Sequence, residues 1–575
     1  LDLYPISIYP KKLINHRNNS RYKLIFMKNL FKALFAFGIL LSFNVIKSHA
    51  ETFRKYEANV KGITYSVDPR IELLNTVAML FGHNGMTLSN ISYKQETLTY
   101  FASYKQHPVV DSLLKSFKAG WGVDDPVFFM LCLDNGLDLK PGLSSGLIER
   151  GGGIERLKRL AFLFKDFANK SKFYAYFNEI QQPFYKQVIE NTKYNFKDFK
   201  AVILLENYYG EKANDYHVIL NLLGGYGNFG RPITSNGKNS LYAVIETNSV
   251  VGNVPVFQPN IPTVNLIIHE FSHSFVNPPI DQFSDRLKQV DSLYLPIQKS
   301  MQSQGYWQWG VTVNEHVVRA AVTRIASQFY GDAFASTNFY KPEFGKRFIY
   351  LDAIIAKLVY YEKHRELYPT FKSFVPELLT SFDGINKDNT QILQQKVEKF
   401  RKPEVAKIPK PYDFAHDSTS YFVVGTHEAN KVAQASLEAF VIKYRNMIST
   451  NSIIITDEEA LKMQLNNNDL VIFGTPEGNT FLNKYIDRLP LTILKDRVLT
   501  DKILMGDDYQ VVTSWVSPFN AKKAMVIYTA QKTEDIKNYD YSPVKDQYHY
   551  WVAKNTITID KGDYSNYYQM WMFSL

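Results

Sequence analysis

The chain has 575 residues, 45% of them hydrophobic, 15% aromatic and 21% charged, too many for one ordinary domain and too apolar for a disordered chain. Its +10 formal charge is local: residues 1–50 carry +7, and from Glu51 onward 58 basic residues face 55 acidic ones, so no nucleic-acid partner is expected. Cys132 is the only cysteine, which excludes an internal disulfide framework and a thiolate-built zinc site, and its apolar surroundings predict a small core residue.

Residues 1–26 read as translated upstream sequence, because the first methionine is Met27. Met27-Lys28-Asn29-Leu30-Phe31-Lys32, the apolar stretch Ala33–Ile46 and Lys47-Ser48-His49-Ala50 form a signal-peptide pattern over 27–50. Cleavage after Ala50 predicts a periplasmic or secreted protein with no stable membrane insertion, since no later apolar run is long enough to span a bilayer.

A first domain is expected over 51–400. Helical spacing dominates residues 51–200, as in Arg156-Leu157-Lys158-Arg159-Leu160-Ala161-Phe162-Leu163. Strands are predicted at Ala201–Leu205, Val218–Leu223 and Leu241–Glu246, and helices again from about Val264 to Phe400. The proline-spaced, charged segment 401–416 reads as a linker. Residues 417–575 then read as an α/β accessory domain with a C-terminal tail. Its strands are predicted at Tyr421–Gly425, Ser452–Thr456, Asp469–Gly474 and Ala524–Tyr528, with a terminal strand at Thr556–Ile559.

The segment that carries chemistry is Val264-Asn265-Leu266-Ile267-Ile268-His269-Glu270-Phe271-Ser272-His273-Ser274-Phe275. On a helix, His269 and His273 lie one turn apart on one face, so both imidazoles can converge on one ion. Glu270 is displaced around the helix, able to reach a water on that ion without being a ligand. Neutral imidazole nitrogens suit Zn2+ with one open coordination position. A third protein ligand is needed. Glu315, forty-two positions after His273 in the apolar-faced stretch Val313–Ala320, is favoured; His316 and Glu343 are alternatives. Tyr306, His316 and Tyr242 are candidate oxyanion donors, and Leu241–Thr247 is a candidate edge strand for an extended peptide.

At these residues the chain resembles the gluzincin clan of metallopeptidases, and more closely the exported bacterial family named domain of unknown function 4932, over roughly residues 60–400. The resemblance implies an α+β zincin-like metallopeptidase domain, helix-rich, followed by the smaller α/β domain. It matches His269, His273 and Glu315 to metal ligands and Glu270 to the catalytic base. It implies hydrolysis of a peptide or protein substrate by a zinc-bound water. The alternative is a non-catalytic exported binding protein with a structural metal; the intact Glu270 favours the enzyme. One departure stands out: the thermolysin branch has an acidic residue four positions after its third ligand, where this chain has Arg319. The partner that orients the metal-binding imidazoles must come from elsewhere.

Other motifs are weaker. Gly225-Tyr226-Gly227-Asn228-Phe229-Gly230 has dinucleotide-loop spacing, but Arg231-Pro232 follows where a helix must open, so a loop is predicted. Gly142-Leu143-Ser144-Ser145-Gly146 lacks the strand that a serine-nucleophile elbow requires. Gly474-Thr475-Pro476-Glu477-Gly478-Asn479 follows a strong strand, where α/β folds bind ligands, and reads as a tight turn in an accessory module. A hydrolase centred there would have only His427 to call on.

Overall fold

The computed structural model describes residues 52–573 except 84–90, 119–120, 123, 225–226, 236–237, 247–249, 401–407, 412–419, 449–450, 521, 537–547 and 568–569. The upstream segment, the signal-peptide pattern and most of the linker fall outside the described residues. A helix-rich N-terminal region is followed by a smaller, strand-rich C-terminal domain. Among the described residues no helix is long and apolar enough to cross a membrane.

The N-terminal region is built on one mixed sheet. Strands β1 (Tyr56–Val60) and β2 (Ile63–Val67) form a hairpin, and β2 runs parallel to β3 (Asp215–Asn221). The chain then makes β4 (Phe229–Ser235) and β5 (Lys238–Glu246), giving the spatial order β1-β2-β3-β5-β4. Three sequence expectations are corrected here. Ala201–Leu205 opens the helix Ala201–Tyr209 instead of forming a strand: the apolar run is too short to distinguish the two states, and helical winding buries Ala201, Leu205, Tyr208 and Tyr209. Leu241–Glu246 lies inside the sheet, because β5 pairs parallel to β3 on one side and antiparallel to β4 on the other. The edge strand is β4, which the glycine-rich segment opens where a loop was expected.

Two long helices pack on each other and carry the site. The motif helix spans Ile261–Asp281 and lies against β4 and β5. Its start is fixed by Asn260, whose side chain accepts from the Thr263 amide, and by Pro262 in the first turn. Its apolar face holds Val264, Ile267, Ile268, Phe271 and Phe275, with Phe275 stacked on Tyr209 at 4.7 Å. The second helix, Trp309–Tyr330, is buried on nearly every side, as expected of a helix enclosed by others.

In the C-terminal domain, two-residue strands β6 (Val250–Val251) and β7 (Val254–Pro255) having intervened, the sheet begins with β8 (Tyr421–Val424), β9 (Ile453–Thr456) and β10 (Leu470–Phe473). A small meander, β11 (Thr492–Leu494), β12 (Arg497–Leu499) and β13 (Ile503–Met505), leads into β14 (Tyr509–Val516) and β15 (Ala524–Ala530). The strands β16 (Tyr550–Lys554) and β17 (Ile557–Gly562) complete a seven-stranded sheet ordered β17-β16-β14-β15-β10-β8-β9. The expected terminal strand is therefore an integral edge of this sheet. Strand β14 escaped the sequence reading because Gln510, Thr513 and Ser514 interrupt its apolar run, yet all eight of its residues are buried. Phe422, Val424, Val471 and Phe473 pack on one face and Val423, Leu470 and Ile472 on the other. Burial on both faces explains the uninterrupted apolar runs.

From Lys55 onward the chain forms one unit by its contacts. The meander touches both site helices: the Ile261 amide donates to the Asp501 carbonyl (2.6 Å), and Arg497 donates to the Phe329 carbonyl (2.6 Å).

Candidate metal centre

The motif helix and the second helix bring three donors together. His269 Nε2 and His273 Nε2 are 3.1 Å apart; Glu315 Oε2 lies 3.7 Å from the first and Glu315 Oε1 3.4 Å from the second. Zinc bonds of ~2.0–2.1 Å at tetrahedral angles require donor atoms ~3.3–3.4 Å apart. One ligand atom from each of the three side chains lies within 4.8 Å of the others, and two imidazoles with one carboxylate are a set that Zn2+ accepts. Burial first, then the Arg319 charge, pushes the His269 pKa well below its usual value, which keeps its imidazole neutral and available as a ligand.

The alternative third ligands stand outside this cluster. His316 is fully buried, with Nδ1 2.8 Å from the Thr312 carbonyl and its ring against Phe348 and Tyr350; burial takes its pKa down to about 3. Glu343 binds Arg319 Nε (2.7 Å) and Lys346 Nζ (2.9 Å). Burial would raise its pKa, but these two cations outweigh it and hold it below the usual carboxylate range. Arg319 also donates to Glu315 through Nη1 and to the Tyr306 hydroxyl (3.2 Å), and lies over the Phe348 ring at 4.2 Å. The acid of the thermolysin pattern is thus replaced by a cation that grips the third donor itself.

Asn277 supplies the orienting partner that the sequence reading left unnamed. Its Oδ1 lies 3.2 Å from His273 Nδ1, one turn further along the motif helix. The i, i+4 spacing from His273 to Asn277 was the available signal.

Glu270 is 5% exposed, with its carboxyl pushed well above the usual range, chiefly by burial and then by the Glu315 charge; a hydrogen bond from the Gly230 amide opposes that shift. Gly230 belongs to edge strand β4 and has no room for a side chain: a Cβ would stand 2.1 Å from the Glu270 carbonyl oxygen. Strand and motif helix can cross this closely only at glycine.

These groups line one cleft of about 1040 Å³, bounded by β4, both helices and the segment Gln304–Tyr306. Tyr306, with its pKa raised to about 12 by burial, faces the cleft. Tyr242 does not line it and stacks on His217 at 4.7 Å. Cys132 is only half-buried, less enclosed than expected, because it lies just past the end of the buried helix Asp125–Leu131.

A family model described as Domain of unknown function (DUF4932) matches residues 63–381, more than half of the chain. The chain belongs to the DUF4932 family. Both site helices of this DUF4932 protein lie within the matched residues. No curated protein and no solved structure matches the chain.

The glycine-rich turn after β10 is closed by the chain's own carboxylate. Glu428 accepts from the Thr475 amide (2.8 Å), the Thr475 hydroxyl (2.8 Å) and the Thr533 hydroxyl (2.6 Å). A Cβ on Gly478 would stand 2.0 Å from that carboxyl, so the loops after β8 and β10 meet over it. The donors that an anionic ligand would use at this strand-order reversal are taken.

Proposed function

We propose that this DUF4932 protein is an exported zinc-dependent metallopeptidase, acting in the periplasm or after secretion, with a zincin-like N-terminal domain. The observation that carries the reading is the convergence of His269, His273 and Glu315 beside Glu270 in a cleft walled by an edge strand. The signal pattern of residues 27–50 supports export.

His269, His273 and Glu315 would hold the metal, and Asn277 fixes the His273 ring through its second nitrogen. Zinc at such a site lowers the pKa of a bound water and polarises a carbonyl. Glu270 takes the proton of the attacking water and passes it to the leaving amine. An extended peptide adds to the free edge of β4, its main chain held by strand hydrogen bonds. Tyr306 is the best-placed donor to the tetrahedral oxygen, as the one of the three candidates that lines the cleft.

The test is metal analysis and peptide-library cleavage by the parent protein and Glu270→Gln. Both should bind about one zinc per chain. Cleavage should fall by about 10²–10⁴-fold or more in the variant. Zinc bound by both with cleavage by neither would favour the non-catalytic binding protein; cleavage retained by the variant would move the catalyst elsewhere.

A further inference from the structure

The charged groups that line the cleft are nearly all paired. Arg231 meets Asp124 at 2.8 Å, Arg150 meets Asp125 at 2.8 Å, Arg319 joins Glu315 to Glu343, and Lys346 meets Glu343 at 2.9 Å. Setting aside Glu270, one lining carboxylate has no cation partner among the described residues. It is Asp281, the last residue of the motif helix, exposed to the cleft.

Asp281 is held in place nonetheless. Asn314 Nδ2 donates to Asp281 Oδ1 at 3.0 Å. That bond fixes the amide orientation, since the reverse would set two oxygens face to face. Asn314 is 7% exposed, and its Oδ1 is buried at the cleft wall without a donor. A buried carbonyl oxygen left unpaired is costly, and so is an anion at the negative end of a helix dipole. A cation in the cleft would relieve the second cost at Asp281, whose carboxylate is exposed there.

We propose that Asp281 and Asn314 form a subsite for a lysine or arginine side chain of the peptide substrate. The carboxylate supplies the charge and its two oxygens, one of them held by Asn314 Nδ2, accept from the several N–H groups such a cation presents. Asp281 follows His273 by two i, i+4 steps, through Asn277, a rise of about 12 Å along the helix. An extended peptide advances ~3.3 Å per residue, so the cation belongs three or four positions from the scissile bond. The inference rests on the peptidase reading for the identity of its ligand as a substrate.

The experiment uses N-acetylated, C-amidated peptides that differ only in carrying lysine or norleucine at each position near the cleavage site. With the zinc-loaded parent protein, kcat/KM should favour lysine at one position by about ten- to a hundredfold, the range of a charge-assisted hydrogen bond. In Asp281→Asn the lysine-to-norleucine ratio should collapse towards one, whatever the absolute rates, and in Asn314→Leu it should fall too. Cleavage with no lysine preference, or a preference that survives Asp281→Asn, overturns the subsite. Peptide binding to zinc-loaded Glu270→Gln, followed by fluorescence anisotropy, separates the two readings. Charge-selective binding lost on adding Asp281→Asn sustains the subsite even if the parent cuts nothing, whereas equal affinity for both peptides ends it.

Discussion

His273 has two ring nitrogens with different tasks: Nε2 faces the other donors and Nδ1 faces Asn277. Fixing the second nitrogen fixes the tautomer and ring angle of the first, and losing such a partner weakens metal binding by about 10–100-fold. Asn277→Ala should therefore bind zinc in that range more weakly in competition with a chelator, with the melting temperature of the metal-free protein little changed. Unaltered zinc affinity would mean that Asn277 only lines the cleft. Arg319 works differently, because its guanidinium is shared by Glu315 and Glu343 and braced on Phe348. A planar fork with five donors in fixed geometry can hold two carboxylates at once, where a lysine would offer a point charge without that geometry.

Between elements, the decisive geometry is the crossing of β4 over the motif helix. Gly230 lets the edge strand approach the backbone of Glu270, and its amide bonds the carboxyl of that residue. Gly230→Ala would have to push strand and helix apart, since the obstructing atom is a backbone carbonyl and cannot rotate aside. The expected cost is about 1–3 kcal/mol of stability, read from chemical denaturation, together with a loss of any peptidase activity. Wild-type stability and activity in that variant would show that the crossing tolerates a methyl group. The first residues of β4 line the same cleft as the three donors, and β4 stands at the edge of its sheet where β5 is interior.

At the scale of the whole molecule, buried polar groups tie the helices to the sheet. Glu72, 1% exposed, accepts from the Tyr93 hydroxyl and from the Leu222 amide at the end of β3. Tyr93 in turn meets Tyr185 at 2.7 Å. Burial raises the Glu72 pKa to about 8. The unfolded chain ionises this group near its ordinary value while the folded chain keeps the proton, so the folded state binds more protons in between. Stability should thus be greatest below about pH 4.5 as far as this group is concerned and fall as pH rises to about 8, by up to ~1.4 kcal/mol per pH unit. Denaturation of Glu72→Gln beside the parent protein across that window measures the term. Parallel pH profiles for the two proteins would refute it. The C-terminal domain adds a second tie, through Asp501 at the start of the motif helix and Arg497 at the end of the second.

The amino-acid sequence by itself determined the two imidazoles on one helical face, the neighbouring glutamate, the long helices and the apolar strands of the C-terminal sheet. These follow from spacing within a single element, where periods of two and of 3.6 residues decide which side chains meet. Only the tertiary structure brought Glu315, in place of His316 or Glu343, together with the two imidazoles, because where packing turns each of the three is not written in local spacing. It likewise carried Phe229 and Gly230 into an edge strand, turned Ala201–Leu205 into a helix and left Asp281 and Asn314 together at the cleft. Strand order and helix crossing are set by contacts between residues far apart in the chain, and no local pattern records them.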